Sequence, residues 1–174
     1  MEKKIITLAS LSTRSFSASL DEVLLRDGRT GKRMKIDHPA AAAVVPFVSD
    51  DEILMVRQYR YALGRDTLEI PAGKLDPGET PEACVRRELL EETAHEAGEL
   101  TFLYTYAPAI GYSNELIHIY SARSLRKRRK KVDEREISSV GIYSIRRLRR
   151  MMKKGLLVDG KTLLALFFAG IEGL

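Results

Sequence analysis

At 174 residues the chain has the length of one domain, and a chain of this size buries enough surface to fold without disulfide help. No apolar run reaches the roughly 18–20 residues that cross a bilayer, and no long apolar stretch follows Met1 as in a secretory signal. The single cysteine, Cys84, cannot close an internal disulfide and says little about compartment, so a cytoplasmic location without a membrane partner is the default expectation. The net charge of +5 is unevenly spread, because Arg126, Lys127, Arg128, Arg129, Lys130 and Lys131 stand together. Six adjacent cations attract polyanions, but no aromatic residue is interleaved for base stacking. The run is therefore expected to be a mobile, solvated loop, and nucleic acid is not the expected partner.

In chain order, short strands are expected at 16–25 and 33–36, with Asp27-Gly28 and Thr30-Gly31 marking turns. The apolar run 40–48 ends at Ser49-Asp50-Asp51 and pairs with 53–58 as a hairpin. A strand at 67–70 leads into Pro71-Ala72-Gly73. At Thr80-Pro81-Glu82-Ala83 the pattern changes: a capping hydroxyl, Pro at the first helical position and an acid in the first turn predict a helix to about Thr93. Strands follow at 100–106, 116–122 and 137–143, then helices at 145–154 and 160–169. This is an α/β chain of the α+β type with antiparallel or mixed strands, without regular βαβ alternation.

The chemistry concentrates in the Gly/Pro-rich loop 73–79 and the helix after it. Glu88, Glu91 and Glu92 stand at i, i+3 and i+4, on one helix face, where like charges repel. A hard divalent cation held by oxygen ligands would offset that repulsion. An exposed acidic helix paired internally through Arg86 and Arg87 is the other reading, and the spacing alone leaves both open.

Gly73, Glu79, Arg87, Glu88, Leu89, Glu91 and Glu92 stand in the register of Gly, five residues, Glu, seven residues, then Arg-Glu-apolar-x-Glu-Glu-x-Gly-apolar. The segment resembles the Nudix box. Ala94 and His95 depart from it, where the pattern has Gly and an apolar residue. Without that Gly the helix is expected to run on toward Gly98, with His95 packing near its end. The resemblance implies a Nudix fold of mixed or antiparallel sheets sandwiched by helices. It divides the chain into a strand-rich segment 1–37 and a hydrolase domain 38–174. It also implies Mg²⁺, or Mn²⁺, on Glu88, Glu92, Glu91 and the Ala72 carbonyl, braced by Gly73, Glu79 and Arg87.

Outside the box, Val56-Arg57-Gln58-Tyr59-Arg60, Leu68-Glu69-Ile70-Pro71-Ala72-Gly73 and Gly111-Tyr112-Ser113-Asn114-Glu115 are similar to the ADP-ribose pyrophosphatase subfamily. Ile110 departs from the Pro usual before that glycine. The likeness covers about residues 40 to 145. It implies hydrolysis of ADP-ribose to AMP and ribose 5-phosphate, with GDP-mannose or another nucleotide sugar as the alternative. Arg60, Arg57 and Glu115 are the implied substrate-binding residues, Arg60 being an exposed strand-end cation of little weight in stability. Glu136 is the implied general base, Glu134 the runner-up, with Glu91 in the catalytic set. Segment 1–37 is the implied homodimer element. A Nudix-fold module that binds nucleotide or RNA without turnover is the reading from another class.

Overall fold

The computed structural model describes residues 1–130 and 137–171 and divides into two compact units. The first comprises Met1–Ala40 with Ala107–Leu116. Its sheet is an antiparallel meander of β1 (Lys3–Ser12), β2 (Ser17–Leu24) and β3 (Thr30–Asp37). Gly28 makes the β2–β3 turn at φ +84°, where a side chain is strained. β1 was not expected as a strand, because its apolar and polar residues do not alternate cleanly. Two bulges shift its register, and Ile5, Ile6, Leu8 and Leu11 are all exposed. Segment 107–116 joins this unit through Ile36, which donates to the Tyr112 carbonyl at 2.6 Å and accepts from Asn114 N–H at 3.3 Å.

The second unit comprises Ala41–Tyr106 with Ile117–Leu174. Its central strand is β4 (Ala41–Ser49), a continuous apolar run buried on both faces through Phe47. β4 turns into β5 (Glu52–Arg60), and β5 also carries β6 (Arg65–Glu69). β7 (Ala72–Lys74) adds to β4 ahead of α1 (Pro81–Thr93). Beyond α1 lie β8 (His95–Glu96), β9 (Glu99–Tyr106), β10 (Ile117–Arg123), β11 (Arg126–Lys127) and β12 (Ile137–Ser144). The helices α2 (Ile145–Lys153) and α3 (Gly160–Phe168) close the chain. The main sheet runs β12-β5-β4-β10-β9, antiparallel except for β10 on β4, and β8 pairs separately with β11.

The period-2 alternation of β4 sorts the core into two halves. Ala41, Ala43, Val45 and Phe47 pack with Leu148 of α2 and with Ala165 and Leu166 of α3. Ala42 and Val44 pack with Cys84, Val85 and Leu89 of α1. Helices therefore cover both faces of the sheet, in a mixed α+β fold. Leu89 and Leu166 are wholly buried, and truncating either to Ala costs roughly 2–5 kcal/mol. The α1 face of this sandwich sets the acidic residues beside β7. No helix among the described residues is long and apolar enough to cross a membrane.

Candidate active site

The helix that carries the acids starts as its sequence dictates. The Thr80 hydroxyl accepts from Ala83 N–H at 3.2 Å, and Pro81 occupies the first turn, where no N–H is needed. One helical turn on, Arg87 becomes the centre of an ionic cluster. Its Nε and Nη2 fork onto Glu79 at 2.9 Å each, while Nη1 reaches Glu88 at 2.6 Å and Glu91 at 3.4 Å. Nη2 also donates to the Lys74 carbonyl at 3.0 Å, tying the helix to the loop before it. The Arg87 guanidinium holds the Glu79 carboxyl down at about 2.

Glu92 is buried, and its Oε2 accepts from Ala72 N–H at 3.1 Å. Burial first, and then the neighbouring Glu88 carboxylate, push the Glu92 carboxyl up to about 8, while Lys161 and Arg60 act in the opposite direction. A Cβ built on Gly73 overlaps the Glu88 carboxylate, so only glycine lets Glu88 lie against β7. Two carboxylates thus meet the Ala72–Gly73 backbone, a donor set that fits a hard divalent cation. Among the described residues no three acidic, histidine or cysteine side chains already converge as a cage. Arg87 draws Glu88 aside, and Glu91 lies 3.4 Å from both Arg87 and Lys130. Cys84 is buried below the loop, and desolvation raises its thiol to about 12, which makes it inert.

A second ionic centre lies on the sheet ahead of Ala72. Glu69, only 2% exposed, receives Arg60 Nε at 2.7 Å and Nη2 at 2.5 Å, Thr67 Oγ1 at 2.5 Å, and the Lys161 ammonium. Lys161 also donates to Asp159 at 2.9 Å. Asp159 caps α3 by accepting from Thr162 N–H at 3.1 Å. Burial drives the Glu69 carboxyl up, but Arg60, Lys161 and Thr67 together outweigh it and bring it to about 2. Arg60 is therefore the partner of a buried carboxylate and not a strand-end cation of little structural weight.

The sequence model of the NUDIX domain matches residues 37–166. The chain belongs to the Nudix family. An ADP-ribose pyrophosphatase of Bacillus subtilis is 32% identical over 173 residues, covering 98% of this chain and 94% of its own. A methanol dehydrogenase activator of Bacillus methanolicus is 35% identical with the same coverage. The crystal structure of an ADP compounds hydrolase shares the fold, with a TM-score of 0.80 at 23% identity over 97% of this chain and 93% of that one. The chain is a Nudix hydrolase by family and by its relatives.

Where the sequence departs from the Nudix box, the structure corrects the expectation of a longer helix. α1 stops at Thr93, and Ala94 itself takes the left-handed conformation at φ 57° and ψ 32°, its N–H donating to the Leu90 carbonyl at 3.0 Å. Tertiary pairing holds this non-glycine there. β8 begins at once and pairs with β11, and Arg128 N–H donates to the Ala94 carbonyl at 2.8 Å. His95 belongs to β8, with Nδ1 2.7 Å from the Thr93 carbonyl oxygen. The same pairing corrects the expectation of a loop for the start of the basic run, which stays exposed through Lys130, while Lys131 lies outside the described residues. Arg126 and Lys127 are ladder residues, Arg128 pairs with Glu96 at 2.7 Å, and Lys130 lies on Glu91.

The structure brings Ala72, Gly73, Glu79, Arg87, Glu88, Glu91 and Glu92 into one neighbourhood, and it sets Arg60 in the second centre. Arg57 is half-buried on β5, opposite Leu68 and Ser139. Glu115 belongs to the first unit, where its carboxylate lies 3.3 Å from His38 Nδ1. Glu134 and Glu136 lie outside the described residues. Sequence reasoning passed over Lys161 and Asp159. The only local signal was an acid one residue before α3, a helix-cap pattern that says nothing of Glu69, some ninety positions earlier.

Proposed function

We propose that this chain hydrolyses ADP-ribose to AMP and ribose 5-phosphate with Mg²⁺, Mn²⁺ serving in its place. The observation that carries this reading is the pair Glu88 and Glu92 against Ala72–Gly73, together with the ADP-ribose pyrophosphatase relative. Glu88, Glu92 and the Ala72 carbonyl, with Glu91 in support, would hold the cation, which when bound neutralises phosphate charge and makes a water more acidic. Glu79 and Arg87 orient Glu88. Arg60 grips the diphosphate, Arg57 contacts the rest of the substrate, and Glu136, or alternatively Glu134, takes the proton of the attacking water. Water oxygen bonds to one phosphorus as the bridging P–O bond breaks, and the released phosphate oxygen takes up a proton.

The first unit serves as the homodimer element, supported by the exposed Ile6, Leu8 and Leu11 on β1, and the enzyme works in the cytoplasm. Light scattering on the purified chain tests the dimer, and a monomeric mass at micromolar concentration contradicts it. The substrate is tested with Mg²⁺ and a panel of ADP-ribose, GDP-mannose, NADH and diadenosine polyphosphates. AMP and ribose 5-phosphate formed fastest from ADP-ribose is the expected result, and preference for GDP-mannose moves the assignment to a nucleotide sugar. A second reading, favoured by the relative named as a methanol dehydrogenase activator, makes a dehydrogenase the target of the activity. Alcohol dehydrogenase turnover unchanged by the chain dismisses it.

A further inference from the structure

The Lys161 ammonium has no part in the chemistry assigned above, yet it is one of the most enclosed cations in the structure. Its side chain is 11% exposed and lies between Glu69 and Asp159, whereas Arg60 on the other side of Glu69 is 40% exposed. The two cations share one carboxylate. Glu69 Oε1 takes Arg60 Nε and Thr67 Oγ1, and Oε2 takes Arg60 Nη2 and Lys161 Nζ. A carboxylate offers about four lone-pair sites, so all of them are filled. Filled in this way, Glu69 cannot rotate, and the planar guanidinium forked onto it has one orientation. Nε and Nη2 of Arg60 are spent on Glu69, while Nη1 donates to none of the described residues.

The remainder of the α3 N-terminus secures the same stretch of chain. Thr162 Oγ1 donates to Asp159 at 2.5 Å and accepts from Ile70 N–H at 3.0 Å, two residues before Ala72. We propose that Lys161 is a positioning residue for diphosphate binding, which locks Glu69 and thereby fixes Arg60 with Nη1 directed at a substrate phosphate. This rests on the reading of Arg60 as the diphosphate grip. The chemical class recognised is the diphosphate bridge itself, whatever group stands beyond it. Ordering the Arg60 side chain before substrate arrives spares part of its rotamer entropy on binding and improves binding by about tenfold, with less effect on kcat.

The test compares Lys161→Met, Arg60→Ala and the double variant with the wild type. It uses kcat and KM for ADP-ribose, calorimetric Kd for α,β-methylene-ADP, and melting temperature. Lys161→Met is expected to raise KM and Kd about tenfold with a smaller change in kcat. In the Arg60→Ala background the same substitution should add nothing further. KM and Kd at wild-type values with only a lower melting temperature overturn the proposal, as do effects that multiply in the double variant. If Arg60→Ala itself leaves Kd unchanged, the assignment of Arg60 fails, and the proposal with it. A wild type that neither cleaves nor binds any diphosphate overturns the broader reading instead. Thr67→Val frees the opposite oxygen of Glu69 without touching Lys161. It is expected to raise KM severalfold, and an unchanged KM in that folded variant also counts against the proposal.

Discussion

Arg87 and Arg60 each fork onto a glutamate, and their surroundings differ in charge. Arg87 faces Glu79, Glu88, Glu91 and Asp76, and although Lys130 lies on Glu91, the carboxylates outnumber the cations, with Glu92 repelled close by. Around Glu69 the ledger is even, because Arg60 and Lys161 meet Glu69 and Asp159. An excess of acid costs folding energy that a bound cation would offset, which suits the metal role proposed for the first centre. The balanced centre has nothing to gain from another ion and serves to hold a shape. The difference lies in proportion, since both are made from the same residue types.

The sharpest way to break this comparison is to neutralise one acid in each centre. Glu92→Gln is expected to lower hydrolysis by about a hundredfold or more, since it removes a proposed metal ligand. It should also raise the melting temperature of the metal-free protein at pH 9, where the wild type must keep a buried charge beside Glu88. Glu69→Gln should do the opposite to folding. It leaves Arg60 and Lys161 without the buried carboxylate between them, and a loss of about 3–5 kcal/mol is expected from chemical denaturation. If both substitutions destabilise alike, the contrast between the centres is wrong.

The two glutamates also predict opposite pH slopes. Glu69 is held near 2, below its ordinary 4.5, so its stabilisation is complete above 4.5 and is lost as pH falls toward 2. Glu92 is raised to about 8, so the folded protein keeps a proton that the unfolded chain releases. Metal-free stability should therefore decline as pH rises from 4.5 to 8. Denaturation followed across both windows checks the pair, and Glu69→Gln should reduce the acid slope, to which Glu79 also contributes, without changing the slope from 4.5 to 8. A metal-free stability that rises from pH 4.5 to 8 contradicts the assignment for Glu92.

The smallest expected effect concerns the end of α1. Ala94→Gly relieves a left-handed alanine, about 1–2 kcal/mol, but exposes the space of a buried methyl worth about 0.8 kcal/mol. A net gain of some tenths of a kcal/mol to about 1 kcal/mol should appear in the melting curve. A net loss would show that packing, not backbone strain, governs the turn.

What could be read from sequence followed the range of each interaction. Thr80, Pro81 and the register Gly73, Glu79, Arg87, Glu88, Glu92 lie within one loop and one helix, so local spacing sets their meeting. The continuous apolar run of β4 likewise announced a strand, and its hairpin with β5 followed from the polar turn between them. Ala94 misled because the missing glycine is a local signal, while the β8–β11 pairing that overrides it joins residues some thirty positions apart. Lys161 was illegible for the same reason. β1 was missed because its apolar residues face outward without alternation, and nothing in 107–116 signals its attachment to Ile36.

The account rests most directly on cleavage at the acidic centre. AMP release from ADP-ribose by the wild-type chain, followed as free Mg²⁺ is raised from chelated levels to millimolar, puts that to the test. The account predicts no product under chelator and saturable release of AMP and ribose 5-phosphate as Mg²⁺ is restored. Undiminished cleavage in the presence of chelator, or none at saturating Mg²⁺ or Mn²⁺, would contradict it.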